Sequence, residues 1–150
     1  MKFFVELGKE YPVEPQVRIQ CKENTEEVKE LVRLLEVKEQ RIIGSYEKEE
    51  CVIGPSQVLY GESVDGVTYI YTKERVYRTT YSLTELEENY SQRGFFRCSK
   101  SAVLNIHAIE SLKSESGNRI DACLSNGEHI IISRRYAKQL RMILKGGGQS

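Results

Sequence analysis

The chain has 150 residues and a mass of 17.3 kDa, enough for one domain, or one domain with a small appendage. Its 22 basic and 22 acidic residues cancel, and 39% apolar with 29% charged residues excludes a disordered chain of low hydrophobicity. The balance is uneven along the chain: residues 1–92 hold 12 Lys+Arg against 18 Asp+Glu, and residues 93–145 hold 10 against 4, so only the C-terminal third suits a polyanion.

The opening stretch, Met1 to Glu10, is not a secretory signal, because its apolar run breaks at Glu6. No run approaches the roughly 18 apolar residues of a membrane span. A cytoplasmic protein is expected. Gln16-Val17-Arg18-Ile19-Gln20-Cys21 alternates apolar and polar residues, the period of a half-buried strand. Asn24 or Thr25 can cap a helix whose first turn holds Glu26 and Glu27. Val28, Leu31, Val32, Leu34 and Leu35 give that helix, 25–36, an apolar stripe, and the charged residues 36–41 form its exit.

The pattern then turns to β. Strands are expected at 41–46, at 56–63 after the Gly54-Pro55 breaker, and at 67–72 and 75–79 across a tight turn at Lys73-Glu74. Ser82 caps a short helix carrying Leu83 and Leu86. Ala102 to Asn105 is a short apolar run. Ile120–Leu124 and His129–Ile132 flank Ser125-Asn126-Gly127, a strong hairpin signal. A basic helix runs from Arg134 to Lys145. Gly146-Gly147-Gly148-Gln149-Ser150 reads as a flexible tail. The class is β-rich α+β, since closely spaced hairpins exclude an all-α or a parallel α/β chain.

Little points to catalysis. There is no glycine-rich phosphate loop, no GxSxG and no HExxH. Glu47, Glu49 and Glu50 read as a solvated face. Cys21, Cys51, Cys98 and Cys123 form no CxxC pair, and with His107 and His129 they offer no zinc spacing. Buried free thiols on strands are expected. The chain is read as a non-enzyme with no metal, no cofactor and no small-molecule substrate.

Three segments in order carry a resemblance. They are Ser82-Leu83-Thr84-Glu85-Leu86-Glu87; Phe95-Phe96-Arg97-Cys98-Ser99-Lys100-Ser101-Ala102-Val103-Leu104-Asn105 with Ile109; and Gly127-Glu128-His129-Ile130-Ile131-Ile132-Ser133-Arg134-Arg135. Together they resemble the LytTR family, the DNA-binding domain of many bacterial response regulators, over residues 48–145. The departures are Ser99 in place of the usual histidine, Ala102 in place of an aromatic, Lys100 where arginine or asparagine is commoner, and no histidine near Val64-Asp65-Gly66. The resemblance implies a β-β-β domain of small antiparallel sheets with short flanking helices. It also implies major-groove reading by two loops rather than a recognition helix, with copies on paired half-sites about one helical turn apart.

The residue chemistry agrees. Arg134 and Arg135, at the join of a strand and the last helix, can offer a fork of donors to guanine O6 and N7. Lys100 suits a base edge or a phosphate, Ser101 and Ser133 suit phosphate oxygens, and Lys138 lies one helical turn on. A basic surface with no partner is the alternative for these six. Arg97, Ser99 and Asn105 are assigned to supporting the loop, Arg97 through a carboxylate and Asn105 through backbone groups of a turn. Phe95, Phe96, Val103, Leu104 and Ile109 are expected in the core, and Tyr69, Tyr71, Tyr77 and Tyr81 in cross-strand packing.

The expected organisation is an N-terminal strand–helix extension (1–45) for packing or dimerisation, a DNA-binding domain (46–145) and a tail (146–150). With Asp65 and Asp121 as its only aspartates, the chain is no phosphorylatable receiver. The reading is a stand-alone regulator of double-stranded DNA, homodimeric at least on DNA, with a membrane-protein partner suggested by the resemblance. Its rival is a protein-interaction adaptor that kept the fold without specific DNA binding.

Overall fold

The computed structural model describes residues 1–146, and of 36–39 the backbone only. Of the tail expected at 146–150, all but Gly146 therefore lies outside the described residues. Residues 1–25 hold neither helix nor strand, so the strand expected at 16–21 does not form. Alternation makes a strand only where a neighbour pairs its amides and one face is buried. Val17 is 68% exposed, and neither sheet includes this segment. The N-terminal unit is thus a helix after irregular chain.

That helix, α1 (Glu26–Glu39), starts at Thr25, whose Oγ1 accepts from the Val28 amide at 3.4 Å. It outruns the expected exit because Glu and Lys are good helix formers. Its stripe is half covered: Val28, Leu31 and Leu35 are partly buried, whereas Val32 and Leu34 face solvent.

Ten strands follow in two antiparallel sheets. β1 (Ile42–Tyr46) and β2 (Glu49–Ile53) form a hairpin, so the boundary expected at 45/46 falls inside β1. β2 escapes sequence reading because only Ile53 of its residues is buried, and Glu49 and Glu50 stay solvated. β3 (Val58–Val64), β4 (Val67–Thr72) and β5 (Val76–Thr79) continue the first sheet. α2 (Leu83–Tyr90) leads to β6 (Phe95–Ser99) and β7 (Ala102–Asn105), completing the order β2-β1-β5-β4-β3-β7-β6. β8 (Ile109–Glu115), β9 (Arg119–Leu124) and β10 (His129–Ile132) make the second sheet, and α3 (Arg134–Gly146) ends the described chain. The class is the β-rich α+β one expected, antiparallel sheets with a few short helices, seven strands in the first sheet and three in the second.

Two cores form because strand side chains alternate between faces. Phe95, Val103, Val58 and Ile70 pack with Leu83, Leu86 and Tyr90 of α2. Their sequence neighbours Phe96, Leu104 and Leu59 join Ile120, Leu124 and Ile132 of the second sheet and Ala137 and Leu140 of α3. A register shift between Val58 and Tyr60 lets Leu59 and Tyr60 share that second core. Phe95, Phe96, Val103 and Leu104 are buried as expected, and Ile109 is half-buried. α2 carries the expected Ser82 cap, completed by Glu85 as a capping box: Ser82 Oγ accepts from the Glu85 amide, and Glu85 Oε1 accepts from the Ser82 amide.

Tyr71 and Tyr77 pair across strands as expected, Tyr60 stacking on Tyr71 and Tyr46 meeting Tyr77 edge-on, whereas Tyr81 lies past the end of β5 and meets Tyr90 of α2 edge-on instead. All four thiols are free; Cys98 is buried and Cys51 and Cys123 are half-buried on strands. Cys21 departs from expectation and is exposed, because its segment joins neither sheet. Glu47, Glu49 and Glu50 are exposed, as a solvated face requires.

Candidate nucleic-acid interface

Residues 99–101 form the tight turn between β6 and β7. Arg97, half-buried on β6, shapes it: Nε donates to the Ser99 carbonyl at 2.9 Å and Nη2 to the Lys100 carbonyl at 2.6 Å. The expected carboxylate partner is replaced by two backbone oxygens. The guanidinium fork fits because both carbonyls face one side of the turn. Ser99 Oγ accepts from the Ser101 amide at 3.2 Å, closing the turn internally. From the neighbouring strand, the Ser63 amide donates to the Ser101 carbonyl at 2.9 Å. With those carbonyls engaged, the exposed Lys100 and Ser101 side chains project from a fixed backbone.

A second bond brings the other motif to this turn. The Ser133 amide donates to the Cys98 carbonyl at 2.9 Å, joining the end of β10 to the end of β6. Ser133 in turn accepts from the Tyr136 and Ala137 amides, starting α3 at Arg134. So Lys100 lies two residues past one end of this bond, and Arg134 one residue past the other. Arg134, Arg135 and Lys138 are all exposed. The Arg135 guanidinium lies 5.4 Å from the Tyr136 ring centroid, and Tyr136 packs edge-on against the buried Phe96. Stacking on a ring rooted in the core limits the freedom of the Arg135 fork.

Arg141 and Lys145 belong to the basic helix expected at 134–145, and the structure adds them to the site residues. With Arg134 and Lys138 they repeat at four, three and four residues, one exposed stripe of α3 beside the buried Ala137 and Leu140. The spacing is legible in the helix pattern once α3 is read for charge as well as for apolar residues. Ser63 carries no such signal, since only the strand pairing places it beside Ser101.

Asn105 sits elsewhere. It is buried at the far end of β7, where Nδ2 donates to the Val58 carbonyl at 2.8 Å and Oδ1 accepts from the His107 amide at 3.0 Å. It satisfies backbone groups as expected, but at the end of the strand opposite Lys100.

The β3–β4 turn, Val64-Asp65-Gly66, lies on the Lys100 side, next to Ser63. Asp65 and Gly66 both have positive φ, 51° and 80°, the geometry of a two-residue hairpin. Asp65 is exposed and brings a negative charge to this edge. Burial pushes the Cys98 thiol up to about 12, so it stays a neutral thiol beneath the turn.

Among the described residues no group of His, Cys, Asp or Glu could hold a metal ion, and no helix is long and apolar enough to cross a membrane. What the surface offers is cations, hydroxyls and amides on rigid turns, the donor set for phosphate oxygens and base edges.

Known proteins resemble this chain in sequence and fold. The chain is similar to the sensory transduction protein LytT of Bacillus anthracis, 26% identical over 99 residues, 66% of this chain and 40% of that one. It thus spans well under half the length of that relative. A Staphylococcus aureus (strain bovine RF122 / ET3-1) protein named as an uncharacterized HTH-type transcriptional regulator is 29% identical over 104 residues, 69% of this chain and 70% of that one. Among solved structures, a LytTr DNA-binding domain from Bacillus cereus superposes with a TM-score of 0.67 at 25% identity, covering 71% of this chain and 97% of that domain. The family model for the LytTr DNA-binding domain matches residues 48–145, from the β1–β2 turn through α3, and the chain belongs to that family.

Proposed function

We propose that this protein is a transcriptional regulator that binds double-stranded DNA sequence-specifically and reads the major groove with loop residues. The observation that carries this reading is the Ser133–Cys98 backbone bond, which joins the two motif-bearing loops into one surface. In this reading Arg134 and Arg135 address guanine edges, Lys100 a base edge or phosphate, and Ser101, Ser133 and Lys138 the backbone. Arg97 and Ser99 hold the turn. The chain works in the cytoplasm and binds paired half-sites as a homodimer. The DNA-binding unit is residues 46–145, and the half-covered stripe of α1, in the 1–45 extension, supports packing or dimer contact, or engages a membrane protein. The mechanism is non-covalent and uses no cofactor.

The test is a salt-titrated binding assay on DNA from the protein's own upstream region, with random duplex as competitor. Preference for the upstream fragment, with affinity falling steeply as salt rises, is expected. Equal weak binding to both duplexes would favour the adaptor reading, to which the acidic balance of residues 1–92 lends some support.

A further inference from the structure

The segment Lys2-Phe3-Phe4-Val5-Glu6-Leu7 leaves its apolar side chains in water. Phe3, Phe4, Val5 and Leu7 are 84%, 85%, 74% and 88% exposed. A scattered exposed leucine needs no account, whereas a run of large apolar residues turned to solvent marks an interaction surface. Phe and Val favour strands. Phe3, Val5 and Leu7 alternate, so an extended backbone turns all three to one face. Yet the segment belongs to neither sheet. It has the pattern of a strand and lacks the neighbour that would pair its amides.

Its residues specify one neighbour, a second copy of the same segment. Laid antiparallel about Phe4, Lys2 faces Glu6 of the partner subunit, Phe3 faces Val5 of the partner subunit, and Phe4 faces Phe4 of the partner subunit. The two-fold axis repeats each pair, so both charged ends are matched and no like charges meet. Any slip of register loses both ion pairs. A parallel pairing in register would instead set lysine on lysine and glutamate on glutamate. In the antiparallel pair, Phe3, Val5 and Leu7 of both copies share one face, and the charged pairs flank the Phe4 rings on the other.

The local structure is compatible with this pairing. Glu6 accepts from the Tyr11 hydroxyl through Oε2 at 3.0 Å, which leaves Oε1 for a lysine. The Tyr11 amide donates to the Gly8 carbonyl at 3.3 Å, so the chain turns directly after Leu7. Beyond that turn Val17, Ile19 and Cys21 alternate in the same way. Each copy thus carries a second segment of strand pattern to flank the central pair, which a ribbon of only two strands needs for stability.

We propose that a second copy of this chain docks here: residues 2–7 of two copies pair antiparallel about Phe4, and the strand pattern of the N-terminal extension is realised only in the homodimer. This names the contact of the homodimer in the reading above, and rests on that reading only for what the dimer does on DNA.

The test is sedimentation velocity of the full chain without DNA, up to millimolar protein. A concentration-dependent dimer is expected. Lys2→Glu and Glu6→Lys each set like charges face to face and should weaken dimerisation at least fivefold, and the double variant should recover to within twofold of wild type. Phe4→Glu places two carboxylates across the two-fold axis and should leave a monomer. All three side chains are exposed, so these variants should melt as the wild-type monomer does. A wild-type chain that stays monomeric would overturn the inference. So would a dimer that survives Phe4→Glu, or a double variant that does not recover. Preference for the upstream DNA fragment is measured separately, so a dimer that binds no DNA leaves this contact standing, and a monomer that prefers the fragment leaves the DNA reading standing.

Discussion

Tyr60 on β3 donates its phenolic hydrogen to Glu128 Oε2 at 2.9 Å, which ties the seven-stranded sheet to the turn that begins β10. The same tyrosine is stacked on Tyr71, with ring centroids 4.3 Å apart, and Tyr71 donates to Glu62 at 3.3 Å. Burial, then the Glu128 carboxylate, raise the Tyr60 pKa, so the hydroxyl stays a donor. β10 is therefore held to the first sheet at its start by this pair and at its end by the Ser133–Cys98 bond. Tyr60→Phe keeps the stack and deletes the latch. A loss of about 1 kcal/mol of stability is expected, read as a lower urea midpoint. Specific DNA affinity should fall with it, since β10 carries Arg134 and Arg135 at its exit.

Arg97→Lys tests the turn. A lysine carries one point charge and cannot serve the Ser99 and Lys100 carbonyls together. Specific DNA affinity should drop about tenfold, or about 1.4 kcal/mol, with a melting-temperature loss of a few degrees. An unchanged affinity with a lowered melting temperature would make Arg97 a purely structural residue.

Arg135→Ala separates base reading from charge. A base reader should cost about 1–3 kcal/mol on the specific site and much less on random duplex. Competition binding at one fixed salt concentration measures both. Equal losses on the two DNAs would move Arg135 to the phosphate-binding group.

Alkaline pH should destabilise the fold. Burial raises the Cys98 thiol from 9.0 to about 12 and the Tyr90 phenol from 10.0 to about 12. Below about pH 9 both groups are protonated in folded and unfolded chains, and stability does not depend on them. As pH rises through that window the unfolded chain loses these protons first, so stability falls by about 1.4 kcal/mol per unit per group. Urea midpoints at about pH 8 and about pH 10.5 measure the slope. Cys98→Ala should remove the portion that begins near the thiol's ordinary value.

The β1–β2 turn offers a stabilising change. Glu47 and Lys48 both hold left-handed backbone, φ 50° and 68°, with neither a glycine. Lys48→Gly relieves a conformation that costs an L-residue about 1 kcal/mol, and the urea midpoint should rise accordingly.

Much was legible in the sequence because it is local. The Ser82 cap with Leu83 and Leu86 defines α2, the Ser125-Asn126-Gly127 signal defines the β9–β10 hairpin, and the spacing from Phe96 to Arg134 identifies the family. What alternation cannot supply is a partner. Gln16 to Cys21 has the pattern of a strand yet joins neither sheet, while Glu49 to Ile53 lacks the pattern and is a strand because β1 lies beside it.

The sequence by itself determined the helices, most of the strands, the apolar faces and the identity of the basic residues, since each follows from side-chain chemistry over a few positions. Only the tertiary structure decided which of those residues meet. Cys98 and Ser133 are distant in the chain, and their contact depends on two sheets packing through Phe96, Leu104 and Ile132. Arg97 finds two carbonyls instead of a carboxylate for the same reason: a turn's carbonyls take their direction from the register of β6 on β7, which no single segment encodes.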